Sequence, residues 1–152
     1  MNSQISIQTA LCLPSPDIEA LIQGRMIVAM PRTFINPGKL FALYPSNTLI
    51  NVPLEKYYRS NVLQTAKKQL GEFGSETVLI KAWAKCELCQ VINDSESLNV
   101  LSQLTVWTEE ALQENLKKRG NIFLAYLRVY RLPQPVEMPV SPSPKFIPLK
   151  QT

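Results

Sequence analysis

The spacing of apolar residues changes period several times along the chain, and each change marks an element. Ile5, Ile7, Thr9 and Leu11 alternate with Ser6, Gln8 and Ala10, the pattern of a half-buried strand. The period then becomes helical, with Ile18, Leu21 and Ile22 on one stripe. Ser15 is placed to cap that helix, Pro16 suits its first position, Asp17 and Glu19 favour its positive end, and Gly24 provides the exit. Arg25 to Ala29 reads as a buried strand ended by Pro31, Asn36-Pro37-Gly38 as a turn, and Lys39 to Tyr44 as a strand closed by Pro45. Val62, Leu63, Ala66 and Leu70 predict a second helix over Ser60 to Leu70, with Lys67-Lys68 in its last turn and Gly71 after it.

The second half of the chain is marked more sharply. A long strand is predicted over Thr77 to Ile92, with Val78, Ile80, Ala82, Ala84, Cys86 and Leu88 facing the core and Lys81, Trp83 and Lys85 facing solvent. Leu98, Leu101 and Leu104 predict a short helix within Ser95 to Leu104. The next helix has both ends signed: Thr108 caps it, Glu109 and Glu110 open it, Lys117-Lys118-Arg119 close it and Gly120 terminates it. A last strand runs from Ile122 to Leu132 and stops at Pro133, with Tyr126, Arg128 and Tyr130 on its solvent side. Pro133, Pro135, Pro139, Pro142, Pro144 and Pro148 follow, and chain this rich in proline lacks the donors of a central strand. The expected organisation is a single α+β domain over residues 1–138 with three or four short helices, then a proline-rich arm over 139–152.

Composition narrows the chemistry more than the fold. At 152 residues one domain can bury roughly 70% of its unfolded surface, so a core needing no disulfide or metal is expected. The sequence contains no histidine, which removes Ser-His and Cys-His nucleophile pairs and most transition-metal sites. The formal net charge of +4 favours anionic partners without requiring them. Met1-Asn2-Ser3-Gln4 has no cationic leader, Pro14 and Pro16 break the early apolar stretch, and no run approaches the roughly 18 residues of a spanning helix, so neither signal peptide nor membrane partner is expected. Three cysteines in that context indicate a reducing compartment, hence a cytoplasmic protein.

Several groups of residues could carry chemistry, and each has a plainer explanation. Cys86-Glu87-Leu88-Cys89 is a C-x-x-C, but a structural zinc needs four ligands and only Cys12 remains; on a regular strand the two sulfurs would also face opposite sides. No cofactor or metal is therefore expected. Lys81-Trp83-Lys85 and Tyr126-Arg128-Tyr130 could stack bases and neutralise phosphates, or pair across strands as structure. Lys67-Lys68 and Lys117-Lys118-Arg119 complement helix dipoles as solvated ends. Spacing alone pairs no acid with a base, so no catalytic residue is proposed.

Phe41-Ala42-Leu43-Tyr44-Pro45-Ser46, Val106-Trp107-Thr108 and Leu127-Arg128-Val129-Tyr130-Arg131-Leu132-Pro133-Gln134-Pro135 resemble, in order and approximate spacing, motifs of an uncharacterised bacterial family. It is known as a domain of unknown function, and some of its members are linked to restriction-endonuclease-like modules. A fainter similarity runs to PUA-like barrels of the ASCH branch, framed by Ile18-Glu19-Ala20-Leu21-Ile22-Gln23-Gly24 and Tyr44-Pro45-Ser46. Met26 and Ala29 stand where that branch has Lys and Glu, and Arg32 matches its Arg only with a one-residue slip. The resemblance implies a small, partly open mixed β-barrel that binds RNA, DNA or a modified base. With those departures the hydrolase or nuclease chemistry of some ASCH-like proteins is not expected, so the first reading is a non-enzymatic domain.

On that basis the expected nucleic-acid site is a groove between the first helix and the Tyr44 strand, lined by Arg25, Arg32, Lys39, Tyr44 and Ser46. Lys81, Trp83, Arg128 and Tyr130 are the second set. Two other readings stay open: a protein partner docked on the proline-rich tail or a sheet edge, and a hydrolase acting on a nucleoside or RNA with Lys, Glu and Thr.

Overall fold

The computed structural model describes residues 5–7, 9–46, 50, 52–71, 77–139 and 149–151. In chain order the elements are β1 (Ile5–Ile7), β2 (Ala10–Pro14), α1 (Ser15–Ile22), β3 (Val28–Ala29), β4 (Leu40–Ser46), α2 (Leu54–Tyr57), α3 (Ser60–Gly71), β5 (Thr77–Ile92), α4 (Leu98–Gln103), α5 (Glu109–Arg119), β6 (Ile122–Pro139) and β7 (Leu149–Gln151). Five strands form one mixed sheet in the order β2-β4-β5-β6-β3, with β2 parallel to β4 and the other pairs antiparallel. The order ends at β2 and β3 without returning, so the sheet is open among the described residues and the fold is α+β. β1 pairs separately with β7.

The long hairpin of β5 and β6 carries two register breaks, between Ile80 and Ala82 and between Cys86 and Leu88. At the first, Lys81 of β5 stands against Leu132 to Pro135 of β6, and at the second Glu87 is the extra residue. Each mismatch is odd, so each shifts the two-residue period of β5 by one and swaps its faces. Val78 and Ile80 therefore face one side, and Ala82, Ala84 and Cys86 the other. After the second break Cys89 takes the core position and Leu88 is 51% exposed, which corrects the expected assignment of Leu88 to the core. The same break brings both sulfurs of the C-x-x-C to one side: Ile35 N–H donates to Cys89 Sγ at 3.5 Å, and Cys86 Sγ donates to Ile35 O at 3.8 Å.

The first break also explains how β6 passes its prolines. Ile80 lies opposite Val136 and Ala82 opposite Arg131, so Pro133 and Pro135 fall in the unpaired stretch where no ladder donor is required. The strand consequently runs on to Pro139 instead of stopping at Pro133. Of the predicted arm, Leu149–Gln151 is strand β7, and residues 140–148 and 152 lie outside the described residues.

Two apolar clusters lie on opposite faces of the sheet. The larger joins Leu13, Phe41, Leu43, Ala82, Ala84 and Leu127 of the sheet to Ile18 and Leu21 of α1, Val62 and Ala66 of α3, Leu98 of α4 and Leu112 of α5. The smaller contains Ile7, Ala42, Tyr44, Val78, Ile80 and Trp83. Because β1 supplies Ile7 to that second cluster, the middle of the sheet is covered on both sides. Among the described residues no helix is long and apolar enough to cross a membrane.

α5 starts and ends as its caps dictate: the Thr108 hydroxyl accepts from Ala111 N–H at 3.0 Å, and Gly120 leaves at φ +79°. α1 differs from expectation. Its cap is Pro14, with no side-chain capping bond, and Ser15 is already its first residue. The early strand is split into β1 and β2, and the predicted Arg25 to Ala29 strand contracts to Val28–Ala29.

Candidate functional site

A one-residue bridge positions the site. Tyr58 leaves the single turn of α2 in extended conformation and pairs antiparallel with Trp107. Thr108 N–H donates to Tyr57 O and Arg59 N–H to Val106 O, each at 2.9 Å. The Thr108 hydroxyl, besides capping α5, donates to Lys56 O. One threonine thus fixes Lys56 and Tyr57 of α2 against the start of α5.

Beneath the bridge lies a fully buried carboxylate. Tyr58 Oη donates to Asp17 Oδ1 at 2.7 Å and Trp107 Nε1 to Asp17 Oδ2 at 3.1 Å. Burial pushes the Asp17 carboxyl up to about 7, against the two hydrogen bonds, which favour its charged form. Its role is to pin α1 to the Tyr58 and Trp107 strands, since the oxygens are occupied by structural donors.

Beside this pin a cavity of about 440 Å³ opens between the end of β2, the segment after β3, α2 and α5. Glu110, Glu114 and Lys118, with Ala111, Asn115 and Arg119, recur at helical spacing and give α5 one continuous cavity face. Arg32 and Lys56 add two cations from the other walls, and Met30, Leu13, Val52, Pro53 and Tyr57 add apolar surface. Burial and then the Asp17 carboxylate hold the Tyr57 phenol well above its ordinary range, while the Arg119 and Arg32 guanidiniums pull it back. Tyr57 is therefore a neutral hydrogen-bond donor, with both guanidiniums close enough to act on it. Burial likewise raises the Cys12 thiol of the same wall, which keeps it protonated.

Four cations face two carboxylates in this cavity. Among the described residues the ion pairs are Lys81–Glu19 at 2.6 Å and Arg128–Glu87 at 3.2 Å, and neither uses a cavity cation. Among the described residues no group of three or more His, Cys, Asp or Glu could hold a metal. The arrangement suits an anion with a partly apolar body.

The residues expected to bind nucleic acid are scattered. Arg32 lines the cavity; Arg25 and Lys39 are exposed in the connections after α1 and before β4. Tyr44 is 4% exposed, because two-residue alternation turns it away from Phe41 and Leu43 into the smaller cluster; its hydroxyl donates to Pro139 O at 3.4 Å. Ser46 ends β4 half-buried. The expected groove between α1 and the Tyr44 strand is thus not assembled from these five residues. A second cavity of about 340 Å³ does lie beside α1 and Pro45, but Glu19 and Glu137 outweigh its single cation, Lys81.

The second set fares similarly as a surface. Trp83 is 5% exposed and stacked on Tyr130, with ring centroids 4.2 Å apart and planes at 15°. Of the row read as solvent-facing, Lys81 and Lys85 are exposed, but Trp83 is covered by the cluster that β1 completes and offers no open ring. Arg128 is exposed and paired with Glu87, and Tyr130 is half-buried.

Sequence reasoning missed Lys56, Tyr57, Glu110, Glu114, Lys118 and Arg119 as cavity residues. The signal was present for α5, whose charged residues at 110, 114 and 118 share one face, but a helix end rich in cations has an adequate dipole explanation. α2 gave no signal, being one turn long. No curated protein and no solved structure matches the chain. The sequence profile described as "Domain of unknown function (DUF1802)" does match, over residues 10–152, and the chain belongs to that family.

Proposed function

We propose that this is a non-enzymatic nucleic-acid-binding domain that holds backbone phosphate at the cavity between α2 and α5. The observation that carries the reading is the set of four cations, Arg32, Lys56, Lys118 and Arg119, around one concavity and outside any ion pair among the described residues. Such cations bind phosphate and release counterions, whereas Lys81 and Arg128 are already engaged by carboxylates. The same proposal includes a PUA/ASCH-like strand framework, supported by the two register breaks of the β5–β6 hairpin, since bulges are the device by which strands curve toward closure.

Fluorescence polarisation with single-stranded and duplex RNA and DNA across a salt series tests the reading. Binding should weaken linearly in log salt, and Arg32→Ala with Arg119→Ala should flatten that slope by about 1 to 2 units. Binding that is absent, or indifferent to salt, overturns it.

A further inference from the structure

The cavity inherits a polarity from α5. Glu110 and Glu114 stand in the first half of the helix, and Lys118 and Arg119 in its last turn. At 1.5 Å per residue Glu110 and Lys118 are about 12 Å apart along the axis. Arg32 brings a further cation into the same cavity from the segment after β3.

A bare anion would be satisfied at the basic end and repelled by the two carboxylates. A ligand with an anionic group at one end and hydrogen-bond donors at the other would be favoured by both. Size restricts it further: about 440 Å³ falls within the roughly 300–1,000 Å³ of small-molecule sites, which excludes a duplex and admits one nucleotide. Met30, Val52 and Pro53 supply apolar wall for a ring.

We infer that the cavity accepts one unpaired ribonucleotide unit, its phosphate at Arg32, Lys118 and Arg119 and its sugar hydroxyls donating to Glu110 and Glu114. The inference rests on the nucleic-acid reading and narrows it from a polymer surface to a single residue of the strand. Ribose is preferred over deoxyribose because its 2′-hydroxyl adds a donor for a carboxylate.

Calorimetric titration of the full chain separates the cases, using inorganic phosphate, ribose 5-phosphate, a ribonucleoside 5′-monophosphate, its deoxy counterpart and a 5′-phosphorylated single-stranded RNA. The ribonucleotide should bind roughly tenfold more tightly than phosphate, the effect of one charge-assisted hydrogen bond, and more tightly than the deoxynucleotide. Glu114→Gln should lower ribonucleotide affinity and raise that of phosphate, while Arg119→Ala lowers both. Both positions are exposed, so neither change threatens the fold. If the RNA binds with a salt slope but the mononucleotide binds no better than phosphate, the single-nucleotide inference fails and the wider reading stands. If neither RNA nor mononucleotide binds, both fail.

Discussion

Asp17 shows how one residue can tie stability to pH. Its carboxyl is 1% exposed and moved from 3.8 to about 7, so the folded state keeps a proton that the unfolded chain releases. The group's contribution is fully present below about pH 3.8 and is lost as pH rises to 7; above that the loss is complete. About three pKa units at 1.36 kcal/mol each set an upper value of about 4 kcal/mol. Asp17→Asn should remove this slope while preserving the contacts, since an amide can accept from Trp107 Nε1 and donate to Tyr58 Oη. Urea unfolding of both proteins from pH 4 to 8 measures it: the variant should gain on the wild type across that range, and parallel curves would show that Asp17 ionises in the fold as it does in water.

At the scale of elements, α5 is the segment whose sequence and structure agree best, and its ends can be tested one at a time. Thr108→Ala removes the cap of α5 and the hydroxyl donated to Lys56 O, and should cost about 0.5–2 kcal/mol. It should also weaken ligand binding, because Lys56 and Tyr57 are held by the same residue. Gly120→Ala meets no atom within 4 Å, so its cost, about 1 kcal/mol, is that of φ +79° alone, and binding should be unchanged. Denaturant midpoints and nucleotide titrations on the two variants separate these effects. α5 and β5 were legible because their limits are written locally, in Thr108, Gly120 and the run from Thr77 to Ile92. The faces of β5 beyond its breaks were not, because each break depends on pairing with a distant part of β6, Leu132 to Pro135 for the first and Tyr126 and Leu127 for the second. Arg32, of the nine expected contacts, reached the cavity; Tyr44 and Trp83 were misread because nothing near them in sequence announces that β1 covers their face.

For the molecule as a whole, one sheet separates two interiors with different duties. The helical side holds the larger cluster, the Asp17 pin and the α2 and α5 walls of the cavity, while the other side holds the small cluster around Trp83 and Tyr44. β1 is secured there by β7, so the two ends of the described chain are joined antiparallel through Ile5–Ile7 and Leu149–Gln151. Removing residues 149–152 deletes the partner of β1 and should loosen Ile7, which is 1% exposed, from Trp83. Loss of a buried isoleucine's packing costs about 2–5 kcal/mol when the side chain is cut to alanine, and partial release should approach the lower figure. Unfolding should therefore begin at lower urea, with tryptophan emission shifted to the red. Ligand affinity should persist at low denaturant, because the four cations stand on α2, α5 and the segment after β3, which contribute no residue to the small cluster; Cys12 of β2 is the lining residue that also packs against it. If shortening the chain abolishes binding while the shortened protein remains folded, the two sides of the sheet are coupled, and the strand pair at the ends of the chain belongs to the binding apparatus.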